Sequence, residues 1–227
     1  MQTPAEQCLI RRVIAGLKGR TNPFGPPTSL NIGAGRSVII EEAVAKEAPS
    51  FVCDRVDVES HPVSHPSVRR ALVASVESME GVSSSAYDVA FANYVLEHVA
   101  DLAAAAKEIR RVLKPGGAFV MTVPNPQAPE FVVSRHTKTE THQRVKGTGA
   151  GREAFETHYA YKSIEDLKRT FEANGFSTVH VETYAFTEGY LHRFPVLATL
   201  SRWYDRAVGA LRVERLKGQA CLEFMKR

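Results

Sequence analysis

A short apolar strand that ends in a turn between two glycines constrains the fold more than any other feature of the chain. Residues 30–35 read Leu-Asn-Ile-Gly-Ala-Gly, and Gly33 and Gly35 allow positive φ angles and leave no Cβ in the path of a ligand. In open α/β sheets, such a strand-to-helix turn binds nucleotide-like cofactors. A dinucleotide-binding turn requires a third glycine where this chain has Val38. The turn therefore favours a cofactor that has a nucleoside but no pyrophosphate, with an ordinary tight turn as the alternative.

Helix and strand signals alternate along the chain, which predicts a mostly parallel α/β sheet. We expect the second strand to end at Asp54, a helix to be capped by Asp101, and another helix to begin at Ser163. Residues 68–73 are predicted as a further helix. The chain has no internal repeats and no domain-sized linker, so one domain is expected. The remaining predicted strands cover residues 29–32, 87–93, 118–123, 179–184 and 220–224, and the remaining helices cover residues 39–46 and 196–211.

The charge and the cysteine content of the chain narrow the classes of function. The formal net charge is +4, which is a mild excess compared with the dense clusters of Lys and Arg in a nucleic-acid-binding protein. Cys8, Cys53 and Cys221 are scattered and form no C-x-x-C pattern, so their spacing suggests neither a disulfide framework nor a zinc site. A reducing, cytoplasmic environment is therefore expected.

The first predicted helix is amphipathic rather than membrane-spanning. Leu9, Val13 and Leu17 recur at helical spacing, whereas Arg11 and Arg12 interrupt the apolar run, so neither a signal peptide nor a membrane span is expected. A basic amphipathic helix can lie on a membrane surface, but packing against the domain is the favoured interpretation.

Two further motifs resemble the class I S-adenosylmethionine-dependent methyltransferases, in particular their type 11-like domains. Residues 87–99 read Tyr-Asp-Val-Ala-Phe-Ala-Asn-Tyr-Val-Leu-Glu-His-Val. Residues 108–117 read Glu-Ile-Arg-Arg-Val-Leu-Lys-Pro-Gly-Gly, which is similar to the family's E-x-x-R-V-L-K-P-G-G segment. With the glycine turn, three motifs occur in the family's order, over roughly residues 28–125. An unrelated doubly wound fold with chance matches is the alternative.

The resemblance implies a fold, a cofactor and a reaction. The fold would be a Rossmann-like, doubly wound, mostly parallel seven-stranded sheet with an antiparallel late strand. The cofactor would be S-adenosylmethionine, and its methyl group would be transferred by in-line displacement to an oxygen, nitrogen or carbon atom of a small molecule. A nucleic-acid methyltransferase and a non-catalytic cofactor-binding protein are the alternatives, and the oligomeric state is left open.

The resemblance also assigns the glycine turn and its neighbours to the cofactor. Gly33, Ala34 and Gly35 would let the backbone approach the methionine and ribose parts, and the start of the following helix would favour the cofactor's carboxylate. Asn31 occupies a position where the family often has an acid. Asparagine can still form a hydrogen bond, but the charge–charge interaction with the amino group of the cofactor is lost. Asn93 would line the floor of the site near the methyl group.

The nucleoside is expected to meet three further side chains. In the family, an acid at the end of the second strand accepts hydrogen bonds from both ribose hydroxyls, and Asp54 is expected in this role with Asp57 as its competitor. Val76 and Glu77 would contact the adenine, next to Ser75, where the family commonly has an aspartate.

The segment Leu-Glu-His-Val at residues 96–99 bears on metal binding. In ubiquinone-type O-methyltransferases, a Glu-x-x-Glu-His pattern at this place is tied to a divalent metal, but here Tyr94 replaces the first glutamate. Glu97 and His98 are too few ligands for a stable site, so no metal is expected. His98 is a candidate catalytic residue, with a structural role as the favoured alternative.

The domain is expected to have four parts. Residues 1–27 would form an N-terminal helical cap, residues 28–125 the cofactor-binding core, and residues 161–227 a C-terminal part of helices and strands. Residues 125–155 have no clear period and include a glycine-rich run. A segment of this length in a compact domain is usually a functional lid or is disordered. We expect residues 126–160 to be a substrate lid, in which His158 is a candidate catalytic residue.

Overall fold

The chain folds around a seven-stranded sheet, as far as the structure describes it. A computed structural model describes residues 2–20, 25–129, 131, 157–191, 195–211 and 213–227. Its strands are β1 (Thr28–Ile32), β2 (Val52–Asp57), β3 (Val68–Val73), β4 (Tyr87–Asn93), β5 (Leu113–Pro124), β6 (Phe176–Tyr184) and β7 (Gln219–Lys226). Its helices are α1 (Pro4–Lys18), α2 (Ile39–Glu47), α3 (Leu102–Val112), α4 (Ile164–Ala173), α5 (Thr187–Leu191) and α6 (Pro195–Leu211), with single 3₁₀ turns at Leu96–His98 and Glu214–Leu216.

The strand order is β3-β2-β1-β4-β5-β7-β6, and its winding reverses between β1 and β4. β1 pairs in parallel with both β2 and β4, and β7 runs antiparallel to both β5 and β6. The predicted fold class, a mostly parallel seven-stranded sheet with an antiparallel late strand, is confirmed. In an open α/β sheet, ligands bind where the winding reverses, outside the carboxyl ends of the strands. The ends of β1 and β4 are therefore the expected place for a site.

Helices cover both faces of the sheet and bury two apolar clusters. On one face, α1 packs against β4, β5 and β7 through a buried stripe that includes Leu9 and Leu17. On the other face, Phe171 of α4 stacks on Phe119 of β5 and Phe224 of β7, with ring centroids 5.5 and 4.7 Å apart. The interpretation of the first helix as one that packs against the domain is confirmed. Among the residues that the structure describes, no helix is both long enough and apolar enough to cross a membrane.

Residues 68–73, which the sequence predicts as a helix, form the edge strand β3. Val68, Ala71 and Leu72 have the spacing of one helix face. The structure instead pairs β3 in parallel with β2, and this pairing supplies the backbone hydrogen bonds of the segment. The helix prediction was wrong because the neighbouring strand, rather than local spacing, decides the conformation here.

The second strand does not end at Asp54 but continues to Asp57, so the predicted position of the strand end was wrong. Asp54 lies within the strand and has no exposed surface. Its carboxylate accepts hydrogen bonds from Arg69 at 2.7 and 2.9 Å, from Arg70 at 2.9 Å and from the Tyr87 hydroxyl at 2.6 Å. Asp54 therefore holds β2, β3 and β4 together instead of facing a ligand.

The charged form of Asp54 stabilises the folded state. Burial alone would raise the pKa of Asp54, but the hydrogen bonds from Arg69, Tyr87 and Arg70 outweigh this effect and lower the pKa below its ordinary value of 3.8. A carboxyl whose pKa is lower in the folded than in the unfolded state stabilises the fold fully above the unfolded value. This contribution is lost as the pH falls below 3.8 and through the folded pKa.

Replacing Asp54 with Asn should lower the free energy of unfolding at neutral pH by about 2 kcal/mol, because Arg69 and Arg70 lose a buried charged acceptor. The difference from the unchanged protein should shrink below pH 3.8, which urea denaturation at a series of pH values would measure. Asp57→Asn, at the end of the same strand, is the matched control and should cost less because its side chain is 13% exposed. An equal loss in both variants would contradict the structural role of Asp54.

Candidate functional site

The glycine turn after β1 takes a backbone conformation that glycine adopts without strain. Gly33 and Gly35 have φ angles of 63° and 57°, in the left-handed region that is costly for residues with a Cβ. A Cβ on Gly33 would lie 2.3 Å from Cγ2 of Val95, whereas a Cβ on Gly35 would meet no atom within 4 Å. Packing against Val95 therefore requires a glycine at position 33, and Gly35 leaves open space for a ligand.

Two cavities lie on either side of this turn, at the carboxyl ends of β1, β2 and β4. The larger cavity has a volume of about 470 Å³ and is bounded by Gly33, Gly35, the end of β2 and residues that follow β3 and β4. The smaller cavity has a volume of about 420 Å³ and is bounded by the same two glycines, the start of α2 and the N-terminal part of α1. The turn therefore offers room for a ligand that has two chemically different ends.

A buried arginine supports the turn from the interior of the sheet. Arg55 of β2 is 2% exposed, and its Nη2 donates to the carbonyl oxygens of Ala34 at 2.6 Å and Ser37 at 2.7 Å. Its Nε lies 3.1 Å from Oε1 of Glu41, and this oxygen also accepts a hydrogen bond of 2.8 Å from Asn31. Charged groups that are sheltered from water thereby tie the turn to β1, β2 and α2.

The buried carboxylate of Glu41, which forms an ion pair with Arg55, borders the smaller cavity. Its side chain has no exposed surface, and its second carboxylate oxygen, Oε2, has no hydrogen-bond partner among the residues that the structure describes. Glu41 lines the smaller cavity together with Asn31. Because an unpaired buried acceptor is costly, this oxygen favours a ligand that brings a hydrogen-bond donor. Glu41 could not be predicted from the sequence, because its place in α2 suggests only a solvated helix residue.

Asp57, the alternative ribose ligand, lies at the edge of the larger cavity. One of its carboxylate oxygens accepts a hydrogen bond of 2.8 Å from the backbone N–H of Gly35, and the other accepts one of 3.1 Å from the backbone N–H of Glu59. Each carboxylate oxygen can accept a second hydrogen bond, so Asp57 can also accept hydrogen bonds from a ligand. Asp54, the first choice from the sequence, lines neither cavity.

The residues expected at the adenine, Val76 and Glu77, line the larger cavity together with Ser75. Oε1 of Glu77 accepts hydrogen bonds from the backbone N–H groups of Ala100 at 2.8 Å and Asp101 at 2.7 Å. Glu77 therefore joins the segment after β3 to the start of α3 and fixes this wall of the cavity. The contact of these residues with adenine stays a prediction.

The smaller cavity also receives a side chain from α1. Oε1 of Glu6 accepts a hydrogen bond of 2.9 Å from the amide of Asn93, and Oδ1 of Asn93 accepts one of 2.6 Å from the Thr122 hydroxyl. Glu6 and Asn93 both line this cavity. The other oxygen of Glu6 accepts a hydrogen bond from the backbone N–H of Thr3, which caps α1. The sequence indicated Asn93 but not Glu6, because only tertiary packing brings α1 to the end of β4.

The two candidate catalytic histidines, His98 and His158, both line the larger cavity. His98 lies in the 3₁₀ turn after β4, and its Nε2 is 4.0 Å from Oε1 of Glu97. The backbone N–H of His158 donates to the carbonyl oxygen of Glu97 at 2.9 Å, which ties the two histidine segments together. The structure therefore brings both histidines to one cavity, and a catalytic role for either stays a prediction.

Most of the predicted lid, residues 126–160, lies outside the described residues, which omit 130 and 132–156. The glycine-rich run of the lid is among the residues that are omitted. Just after the lid, the buried hydroxyl of Tyr161 donates to the carbonyl oxygen of Pro124 at 2.9 Å. The chain is thereby fixed to the end of β5 where it returns to the domain.

A family model described as a methyltransferase domain matches residues 7–181. This match covers more than half of the chain and includes the glycine turn and both sequence motifs. A curated relative, an uncharacterized 37.1 kDa protein in transposon TN4556 of Streptomyces fradiae, is 28% identical over 200 residues. The alignment covers 78% of this chain and 56% of the relative, so the chain spans about half the length of the curated relative that it matches.

Solved structures share the fold over nearly the whole chain. One is geranyl diphosphate C-methyltransferase from Streptomyces coelicolor A3(2), in complex with Mg²⁺, geranyl diphosphate and S-adenosyl-L-homocysteine. It is 16% identical with a TM-score of 0.62, and the match covers 98% of this chain and 79% of that chain. An S-adenosylmethionine-dependent methyltransferase from Mesorhizobium loti is 15% identical with a TM-score of 0.57, and 98% of each chain is covered. At these identities, the likeness to solved structures shows the fold alone.

Replacing Gly35 with Ala should weaken binding of S-adenosylhomocysteine by about tenfold, because the added Cβ fills space at both cavities. Gly33→Ala should also lower the melting temperature, since its Cβ would overlap Val95. Calorimetry and thermal unfolding measure the two effects. Gly81→Ala is the matched control, because Gly81 has a φ of 78°, would meet no atom within 4 Å and lines neither cavity. Unchanged binding in Gly35→Ala would contradict the assignment of the turn.

Proposed function

Because the chain belongs to the methyltransferase-domain family, with S-adenosylmethionine as its methyl donor, we propose that it methylates a small-molecule acceptor. The observation that carries the proposal is the pair of cavities that share Gly33 and Gly35, each lined by two carboxylates of its own. The donor is a nucleoside at one end and an amino acid at the other, so its two ends need different partners. The larger cavity suits the adenosine, and the smaller cavity suits the methionine.

Asp57 is proposed to accept hydrogen bonds from the ribose hydroxyls. A carboxylate accepts but does not donate, which matches two hydroxyl donors on neighbouring carbons. The N–H of Gly35 already donates to Asp57 and holds the carboxylate next to the turn. Val76 supplies an apolar side chain to the same cavity, where the adenine ring would lie.

Glu41 is proposed to bind the ammonium group of the donor. The ammonium would supply the missing hydrogen-bond donor for Oε2, and attraction between opposite charges is stronger away from bulk water. The acid therefore comes from α2 in this chain, and Asn31 orients it through their hydrogen bond of 2.8 Å. The first N–H groups of α2 would favour the carboxylate of the donor.

The main task of the protein is to position the two reactants. The bound donor supplies an electrophilic methyl group with a good leaving group, so near-attack geometry accounts for most of the rate. Asn93, which is held between Glu6 and Thr122, provides a fixed wall for this geometry. A base is needed only if the acceptor must lose a proton. His98 and His158 are then the proposed bases, because both line the larger cavity.

Two features support a small molecule as the acceptor. The structural relative from Streptomyces coelicolor A3(2) acts on geranyl diphosphate, which is a small molecule. The formal net charge of +4 is only a mild excess, whereas nucleic-acid binding depends on dense positive charge. That the protein binds no nucleic acid and works in the cytoplasm stays a prediction.

Two substitutions should distinguish the residue that binds the amino acid end of the donor from the residue that binds its ribose. Glu41→Gln should weaken binding of S-adenosylhomocysteine by about tenfold and leave binding of 5′-methylthioadenosine, which lacks the amino acid end, unchanged. Asp57→Asn should weaken binding of both ligands, because both contain the ribose. Calorimetry measures the affinities, with the exposed neighbours Glu42→Gln and Glu59→Gln as controls. Glu41→Gln removes the ion-pair partner of Arg55, so thermal unfolding checks that this variant is still folded. An equal loss of affinity for both ligands in Glu41→Gln would contradict the proposal that Glu41 binds the ammonium group.

Methyl transfer itself is tested with S-adenosylmethionine that carries a radiolabelled methyl group, incubated with the protein and with pools of metabolites or RNA. We expect label in a small molecule, reduced label with Gly35→Ala and undiminished label with Gly81→Ala. Label in RNA would contradict the proposed acceptor class. Donor binding without label in any pool would instead support a non-catalytic cofactor-binding protein.

A further inference from the structure

Three side chains with metal-binding atoms meet on the face of the sheet that α1 covers. Sγ of Cys8 in α1 lies 3.6 Å from Nε2 of His180 in β6, and this nitrogen lies 3.4 Å from Oε2 of Glu182 on the same strand. The three ligand atoms lie within 4.8 Å of one another, and no other three such residues in the described part of the chain do so. None of the three residues lines the larger or the smaller cavity.

Two of the three separations between these atoms match a tetrahedral zinc site. Zinc binds cysteine sulfur at about 2.3 Å and histidine nitrogen or carboxylate oxygen at about 2.0–2.1 Å. Tetrahedral ligands therefore lie about 3.6 Å apart for sulfur and nitrogen and about 3.4 Å apart for nitrogen and oxygen. The observed distances are 3.6 and 3.4 Å. We propose that Cys8, His180 and Glu182 bind a zinc ion at a site separate from the methyl-transfer site.

The three ligand types favour zinc over magnesium and calcium. A thiolate, an imidazole and a carboxylate suit zinc, whereas magnesium and calcium require oxygen ligands. The side chains of His180 and Glu182 are 27% and 49% exposed, which gives an ion a path from solvent to the buried sulfur of Cys8. The fourth ligand position is then available to water.

The surroundings of the cluster are compatible with a bound cation. Arg12 lies one turn after Cys8 in α1, but it is paired with Glu223 of β7, so its positive charge is compensated. Cys221 of β7 is buried in the same apolar cluster as Cys8, so the sulfur of Cys8 is shielded from solvent on its inner side.

A metal at this place would fasten α1 to an edge of the sheet. β6 is an edge strand whose neighbour in the sheet is β7. α1 also carries Glu6, whose carboxylate meets Asn93 in the smaller cavity. The ion would therefore hold, from outside the cavity, the helix that forms part of the cavity wall.

Zinc binding is measured by titrating metal-free protein with zinc in competition with a chromophoric chelator. The protein should bind a single zinc ion, and cobalt in its place should give a sulfur-to-cobalt charge-transfer band and the strong visible bands of a tetrahedral site. Cys8→Ala and His180→Ala should each weaken zinc binding by more than about a hundredfold. Cys53→Ala and His65→Ala change the same residue types outside the cluster and should bind zinc as the unchanged protein does.

Thermal unfolding supplies a second measurement. Zinc should raise the melting temperature of the unchanged protein and of the two controls, but not that of the two cluster variants. His180 is partly exposed, so His180→Ala tests the proposal even if Cys8→Ala fails to fold, and circular dichroism identifies such a failure. The proposal is overturned if the protein binds no zinc, if folded His180→Ala binds zinc as tightly as the controls, or if the cobalt spectrum lacks the sulfur band.

Discussion

The glycine turn keeps its shape because the guanidinium group of Arg55 holds it from the interior. A buried guanidinium is costly unless it is paired. Nη2 of Arg55 donates to carbonyl oxygens of the turn and its Nε forms an ion pair with Glu41, whereas Nε and Nη1 make no hydrogen bond among the described residues. Without the arginine, Glu41 would be an unpaired buried charge and the carbonyl oxygens would lose their donor. The positions of both cavities, and of the carboxylates that line them, therefore depend on this one side chain.

The parts of the fold that the sequence predicts well are stabilised by nearby residues. Asp101 caps α3 by accepting a hydrogen bond from Ala104, and Ser163 caps α4 by accepting one from Asp166, each three positions further along the chain. β4 is apolar almost throughout because it lies in the middle of a sheet that is covered on both faces. The motifs of the family lie in these elements and in the glycine turn, so the strand ends at which the two cavities lie could be predicted with them.

The remaining features depend on contacts between distant parts of the chain. The pairing of β2 with β3 decides both that residues 68–73 form a strand and that Asp54 lies inside β2 rather than at its end. Glu6 reaches the smaller cavity only because α1 packs against the sheet. Cys8 and His180 are 172 positions apart, so no rule based on the spacing of metal ligands could have found their cluster.

β7 follows β6 along the chain but lies between β5 and β6 in the sheet. Each of the strands β2 to β5 can therefore pair, as it is synthesised, with a strand that precedes it in the chain. In contrast, β6 has no partner in the sheet until β7 has been made and inserted. Unpaired strand edges that wait for a distant partner slow folding and invite pairing with the wrong strand. A nascent chain thus carries an open β6 throughout the synthesis of the residues between Tyr184 and Gln219, and the sheet is completed by filling a gap rather than by extending an edge.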